Sequence, residues 1–151
     1  MKKRIAIITT IVFLLDQISK YLIDSFLNAG ESIKIFSFFK LSRLSNTGAA
    51  FSILENKTIL LLIVSIMLFI YILRESLKSK RLFSDIYYSL IMGGILGNFL
   101  DRVAFKGVRD FIDIKVFSYN FPVFNIADMA IVIGAILYII SLVGEKDEVN
   151  R

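Results

Sequence analysis

Asp16, Gln17, Lys20 and Asp24, then Asn98, Asp101 and Arg102, then Asn125 and Asp128 carry polar and charged groups into stretches that are otherwise apolar. A charge placed unpaired in hydrocarbon costs several kcal/mol, so such residues are candidates for function. The chain has no His and no Cys, which removes the usual general base, the thiol nucleophile and Cys-based metal sites. Carboxylates, hydroxyls and Lys are what remain. Two carboxylates sharing one site cannot both ionise easily, so one keeps its proton near neutral pH. The ionised partner can then draw a proton from water while the protonated one donates to a carbonyl oxygen or a leaving amine. That chemistry needs neither cofactor nor metal, and none is expected. The two proton affinities would belong to the pair.

Spacing groups these residues further. Asn98, Asp101 and Arg102 stand at i, i+3 and i+4 and share a helix face. Asp16, Lys20 and Asp24 step by four along one stripe, and Asn125 and Asp128 are three apart. Each group also has a purely structural explanation. Asp16 and Lys20 fit an ion pair that locks helices together, and Asp101 with Arg102 fits a salt bridge or a helix end. Asn125 and Asp128 fit a helix cap. Asn46-Thr47-Gly48 fits a simple turn. Asp101, Asp110 and Asp113 all compete to be the partner of Asp128, and spacing alone leaves that choice open.

The elements that must position these residues follow from composition. Of 151 residues, 56% are hydrophobic, above the 45–50% usual for soluble domains, and the length suits one domain, 1–151. Four stretches approach the ~20 apolar residues that a membrane span needs: about 5–27, 58–73, 86–103 and 125–143. Met1-Lys2-Lys3-Arg4 before an apolar run imitates a signal peptide. No small-residue cleavage site follows, and the run continues through Asp16 and Lys20, so it reads as a retained span. The expected fold is therefore an all-α polytopic membrane protein with four transmembrane helices. Basic residues are nearly balanced between the two sides, but the clusters Lys2-Lys3-Arg4 and Lys78-Ser79-Lys80-Arg81 favour cytoplasmic N and C termini. The net charge of +5 is the ordinary result of basic residues flanking spans beside anionic lipid, and no nucleic acid is needed to explain it.

In this orientation nearly every polar residue above falls near the outer face. The connection 28–57 contains alternating β-favouring residues in "IKIFSFFKLSRL" and reads as a small β-like cradle. The connection 104–124, rich in Phe and Tyr, reads as an interfacial loop or helix. Gly93 and Gly97 have the GxxxG spacing that permits close helix approach, a weak signal alone. Small residues at Gly48, Ala49 and Ala50 would leave room for a substrate backbone, so Ala49→Leu is expected to impair activity without unfolding the protein.

Five segments, "DQISK" (16–20), "NTGAAFS" (46–52), "GGILGNFLDR" (93–102), "VRDFID" (108–113) and "FNIAD" (124–128), together resemble the signature boxes of the bacterial lipoprotein signal peptidase family, signal peptidase II. The resemblance runs over nearly the whole chain. It implies a membrane aspartyl endopeptidase that removes the signal peptide of a prolipoprotein just before a diacylglyceryl-modified cysteine. By position it makes Asp110 and Asp128 the catalytic pair. It makes Asn46, Asn98, Asp101, Arg102 and Asn125 supporting residues, and leaves Asp16 and Lys20 structural or supporting. Asn98 and Arg102 are also candidates to hold the scissile carbonyl. The resemblance makes 28–57 a cradle on the outer leaflet and part of 104–124 a mobile lid. The implied setting is the bacterial cytoplasmic membrane, with prolipoproteins and membrane lipids as partners and the enzyme expected to act as a monomer. A small transporter or proton relay through Asp16, Lys20 and Asp128 is the alternative, but the inner halves of the later spans lack the charges a relay requires. An assembly factor that grips partner helices through Gly93 and Gly97 would leave the outer carboxylates unexplained.

Overall fold

The computed structural model describes residues 2–48, 54–81 and 83–149, with side chains through residue 143. Ala49 and Ala50, and with them the expectation attached to that small-residue stretch, lie outside the described residues. Four long helices form the body: α1 (Lys2–Phe26), α2 (Thr58–Lys78), α3 (Ser84–Phe105) and α4 (Ile126–Val149). Three of them are long and apolar enough to cross a membrane: α1, α2 and the Ile126–Val143 part of α4. Their outward faces carry Ile11, Leu15, Ile63, Met67, Ile136 and Ile140 in the open. Such faces suit lipid rather than water, since lipid supplies the apolar contact that water cannot.

α3 is built differently. It packs against α1, α2 and α4 at once, and thirteen of its residues are buried. A helix wrapped by its neighbours need not be uniformly apolar, and α3 accordingly carries Tyr, Gly and Asn residues that lower its hydropathy. The glycines let the neighbours come close. A Cβ at Gly93 would lie 2.9 Å from the Thr9 carbonyl oxygen of α1, and one at Gly97 would strike the Asp16 carboxylate. The GxxxG spacing thus marks the α1–α3 seam.

Contacts along the helices fix their relative direction. Ser89 donates to the Ile5 carbonyl, while Gln17 reaches the Gly97 carbonyl, so α1 and α3 run parallel. Gly134 faces Tyr87, whereas Ala127 faces Gly94 and Gly97, so α4 runs antiparallel to both. Thr58 at the start of α2 donates to the Lys106 carbonyl just beyond the end of α3. The helices alternate in direction, and the connections 28–57 and 104–124 meet at one end of the bundle.

At that end the two connections form a single four-stranded sheet, β1 (Ser32–Phe36), β2 (Phe39–Asn46), β3 (Val108–Val116) and β4 (Tyr119–Asn120), in the order β1-β2-β3-β4. β1 and β2 make the expected hairpin. The interfacial loop or helix expected over 104–124 is corrected: most of that segment is strand. Its β-branched residues Val108, Ile112, Ile114 and Val116 alternate along one face, a period-2 pattern that suits a strand, and β2 offers the edge on which it pairs. The all-α description holds for the bundle, and the sheet joins what had read as two separate elements.

Candidate active site

Three local features bring the polar residues into register. First, α3 ends in a left-handed turn at Lys106, so β3 starts within a few residues of Asp101. Gly107 is needed in that turn, because a Cβ there would sit 2.8 Å from the Ser45 hydroxyl. Second, Phe124 is stitched to β3 by backbone bonds with Phe111 and Ile112 of 2.8–3.1 Å, which sets the entry to α4 beside Asp110. Third, α4 opens with a reciprocal cap. The Asn125 side-chain oxygen accepts from the Asp128 N–H at 2.9 Å, and the Asp128 carboxylate accepts from the Asn125 N–H at 3.3 Å. This satisfies two otherwise orphaned donors. A third, the Ala127 N–H, is taken by Asp16 Oδ1 of α1 at 2.9 Å.

Asn125 is therefore more than a cap. While its backbone holds Asp128, its Nδ2 donates to Asp110 Oδ1 at 2.6 Å. One residue thus touches both carboxylates. Asn46 at the end of β2 donates to the other Asp110 oxygen at 3.1 Å, and its own Oδ1 is occupied by the Gly48 N–H at 2.9 Å. Asn98 donates to Asp128 Oδ1 at 2.7 Å and accepts from Lys20 at 3.2 Å and from Asn125 at 3.2 Å. Because each amide has a partner on its oxygen side, the orientations of all three asparagines are mutually determined. All four oxygens of Asp110 and Asp128 accept an N–H.

Lys20, Arg109, Asp16 and Asp101 around the pair form ion pairs with one another. Lys20, fully buried, lies 2.8 Å from Asp16 and 3.1 Å from Asp101. Asp101 in turn receives Arg109 through Nη2 at 2.7 Å and through the Arg109 backbone N–H at 2.9 Å. Arg102 points the other way and donates to the Gly48 carbonyl at 3.1 Å, holding the turn that follows Asn46. Burial, and next the charge of Asp128, push the Asp110 carboxyl up to about 7, against the opposing pull of Asn46, Asn125 and Lys20. A carboxyl with that affinity can hold or release a proton at neutral pH.

Of the three carboxylates that competed to face Asp128, only Asp110 shares an asparagine with it, Asn125. Asp101 is committed to Lys20 and Arg109, and Asp113 accepts from Ser42 at 3.2 Å. Asn98, expected also to hold a substrate carbonyl, donates from its side chain to Asp128 Oδ1. Asp16 and Lys20 do form the ion pair that spacing suggested, and Asp16 additionally caps α4. Sequence reasoning counted Gln17 and Asp24 among the polar residues of the first span without giving them a role, and it missed Arg43 and Arg109. Arg109 bonds to Asp24 at 3.0 Å and to Gln17 at 3.0 Å. The only hint was the four-residue step from Lys20 to Asp24.

Comparison with known proteins gives the family. The family model for signal peptidase (SPase) II matches residues 8–144. The chain belongs to the signal peptidase II family. Lipoprotein signal peptidases of Staphylococcus aureus strains MRSA252 and JH9 are each 38% identical over 148 residues, spanning 96% of this chain and 90% of theirs. Two bacterial membrane enzymes solved by the in meso method, at 2.3 Å and 1.9 Å, share its architecture. The first has a TM-score of 0.89 at 37% identity, covering 95% of this chain and 90% of its own. The second has 0.83 at 38%, covering 91% of each. As a signal peptidase II, the chain is a multi-pass membrane protein and an aspartic peptidase. The carboxylates joined by Asn125 are therefore the natural place to look for its chemistry.

Proposed function

We propose that this signal peptidase II removes the signal peptide from prolipoproteins with Asp110 and Asp128 as its reacting pair, cutting just before a diacylglyceryl-modified cysteine. The observation that carries this reading is Asn125, which donates to Asp110 through its side chain and to Asp128 through its backbone. Asp16, Asp24, Asp101, Asp110 and Asp128 face Lys20, Arg43, Arg102 and Arg109, so one proton on the pair leaves the cluster neutral.

The reaction then needs only that proton and a water. All four oxygens of the pair already accept an N–H, so the shared proton sits on a remaining lone pair, where water and substrate stand. The ionised aspartate takes a proton from the water, whose oxygen attacks the carbonyl carbon of the residue before the cysteine. The protonated aspartate gives its proton to the carbonyl oxygen, forming a neutral gem-diol. Collapse of the diol breaks the C–N bond, the cysteine nitrogen takes the proton held by the base, and a diol hydroxyl proton restores the starting state. Asn46, Asn98 and Asn125 hold the two carboxylates, while Asp101 and Arg102 hold the chain around them. Asp16 and Lys20 support the frame.

A lipidated signal peptide is itself a membrane helix, so its cleavage point lies near a membrane boundary. The polar residues gather at one end of the bundle, and α1 begins and α4 ends at the other. This supports four spans, cytoplasmic termini and an active site near the outer leaflet of the bacterial cytoplasmic membrane. The chain works as one peptidase unit over 1–151, a monomer among membrane lipids, with no role for nucleic acid. Cleavage of a diacylglyceryl-modified prolipoprotein by the purified protein in detergent tests the reading. Asp110→Asn and Asp128→Asn should each lower turnover by at least ~10³-fold, towards the upper range of general acid–base effects, while the protein stays folded. A chelator should leave the rate unchanged. Turnover surviving in either variant would sink the assignment.

A further inference from the structure

Asp110 stands at a weak point of the sheet. The pairing of β2 with β3 runs in register from Phe39 to Leu41, is interrupted, and resumes at Leu44 opposite Asp110. The irregularity at Ser42 and Arg43 is a bulge. Bulges re-aim side chains and loosen the ladder locally. The bonds of Phe111 and Ile112 to Phe124 tie the strand to the entry of α4 on one side of Asp110, and the other side needs a hold of its own.

Arg43 in the bulge and Arg109 beside it supply the hold. Arg43 leaves the sheet to bond Asp24 of α1 at 2.7 Å and to cap the end of that helix at the Leu27 carbonyl, 2.8 Å away. The second oxygen of Asp24 takes Arg109 of β3 at 3.0 Å. Consecutive strand residues point to opposite faces, so Arg109 reaches α1 and α3 while Asp110 turns towards Asn46 and Asn125. The Arg109 guanidinium commits four of its five N–H groups, to Asp24, to Gln17 and twice to Asp101. It also lies 4.4 Å above the Phe105 ring, a contact that favours a planar cation. Burial works against its charge, but the hydrogen bonds and fields of Asp101 and Asp24 hold the guanidinium above the usual arginine range. The Arg109 carbonyl also accepts from Asn125 at 3.4 Å, so its main chain is continuous with the reacting pair.

We propose that Arg109, Asp24 and Arg43 form a positioning clamp that rivets β2 and β3 to the end of α1 and so sets where Asp110 stands relative to Asp128. None of the three touches the reacting carboxylates with its side chain. The clamp rests on the reading of Asp110 and Asp128 as the reacting pair, and it adds a requirement that reading does not contain. Losing it should shift Asp110 by an ångström or so, a displacement that can cost ~10²-fold in rate, and leave substrate binding nearly intact.

The test uses the full chain in detergent with a synthetic diacylglyceryl-modified prolipopeptide, reading kcat and KM separately, and hydrogen exchange of the β3 amides. Arg109→Met is expected to lower kcat ~10²-fold with KM within about threefold, and to speed exchange in β3. Arg109→Lys, which restores the charge without the fork, should recover part of kcat. Asp24→Asn should fall in the same direction by about tenfold. If Arg109→Met fails to fold, Asp24→Asn and Arg43→Gln decide by the same readouts. Unchanged kcat with unchanged β3 exchange, or a loss confined to KM, overturns the clamp. A wild type that leaves the peptide uncut counts against the peptidase reading instead, and the exchange data still judge the clamp.

Discussion

Along the first half of α3, Tyr87, Tyr88, Ile91, Met92 and Ile95 pack into an apolar cluster with Ile5 and Ile72, and the rings of Tyr87 and Tyr138 lie 5.5 Å apart. One turn further on, the same helix carries Asn98, Asp101 and Arg102 into a network of ions. Both halves are buried, yet they tolerate imperfection differently. The Tyr87 hydroxyl is buried with no hydrogen-bond partner among the described residues. Asp101, equally buried, is bonded to Lys20, Arg109 and Gln17. A ring's packing outweighs one unmade neutral hydrogen bond, which costs about 1–3 kcal/mol. An unpaired buried ion costs more, so the ionic half has to be complete.

The comparison breaks first at Lys20. Lys20→Met takes from Asp16 its one cation and leaves Asp101 with Arg109 alone, and should cost about 3–5 kcal/mol, seen as a large fall in thermal midpoint in detergent; adding Asp16→Asn should recover part of it. A midpoint within a degree or two of wild type would mean that the network is dispensable. Gly97→Ala comes next. The new methyl would meet the Asp16 carboxylate, and such overpacking costs about 1–3 kcal/mol. Because Asp16 also caps α4, cleavage should fall with stability, and a fully active, stable Gly97→Ala protein would show that the seam has slack.

The pH profile sharpens the comparison at smaller cost. The Asp110 carboxyl is raised to about 7 by burial and by Asp128. It therefore keeps its proton below that pH and loses it above. The singly protonated pair disappears as pH rises, so kcat/KM should fall about tenfold per unit on the alkaline side. A flat profile from pH 6 to 9 would contradict that. The smallest effect belongs to the apolar half. Tyr87→Phe removes a hydroxyl that has no partner among the described residues, so stability should stay level or rise by up to ~1 kcal/mol, with cleavage unchanged. A clear loss of stability would reveal that the hydroxyl is bonded after all.

Much of this was legible in the residue order. The three apolar helices, the hairpin in 28–57 and the Gly93–Gly97 seam follow from local patterns of hydrophobicity and residue size. The segment 104–124 misled because its aromatic residues suggest an interface as readily as a strand, and only the free edge of β2 decides between them. Arg109 went unnoticed for a related reason. Its partners lie 85 and 92 positions away in α1, and no local pattern points to them.

By itself the sequence determined that this is a membrane protein, that its chemistry has only carboxylates, hydroxyls and Lys to draw on, and that five polar boxes mark one family. Each of those follows from composition, spacing or residue type, which are properties of short stretches. The tertiary structure decided that Asn125 joins Asp110 to Asp128, and that β3 is held by ions as well as by strand pairing. Those are distances between groups far apart in the chain, and only the packing of α1, α3, α4 and the sheet sets them.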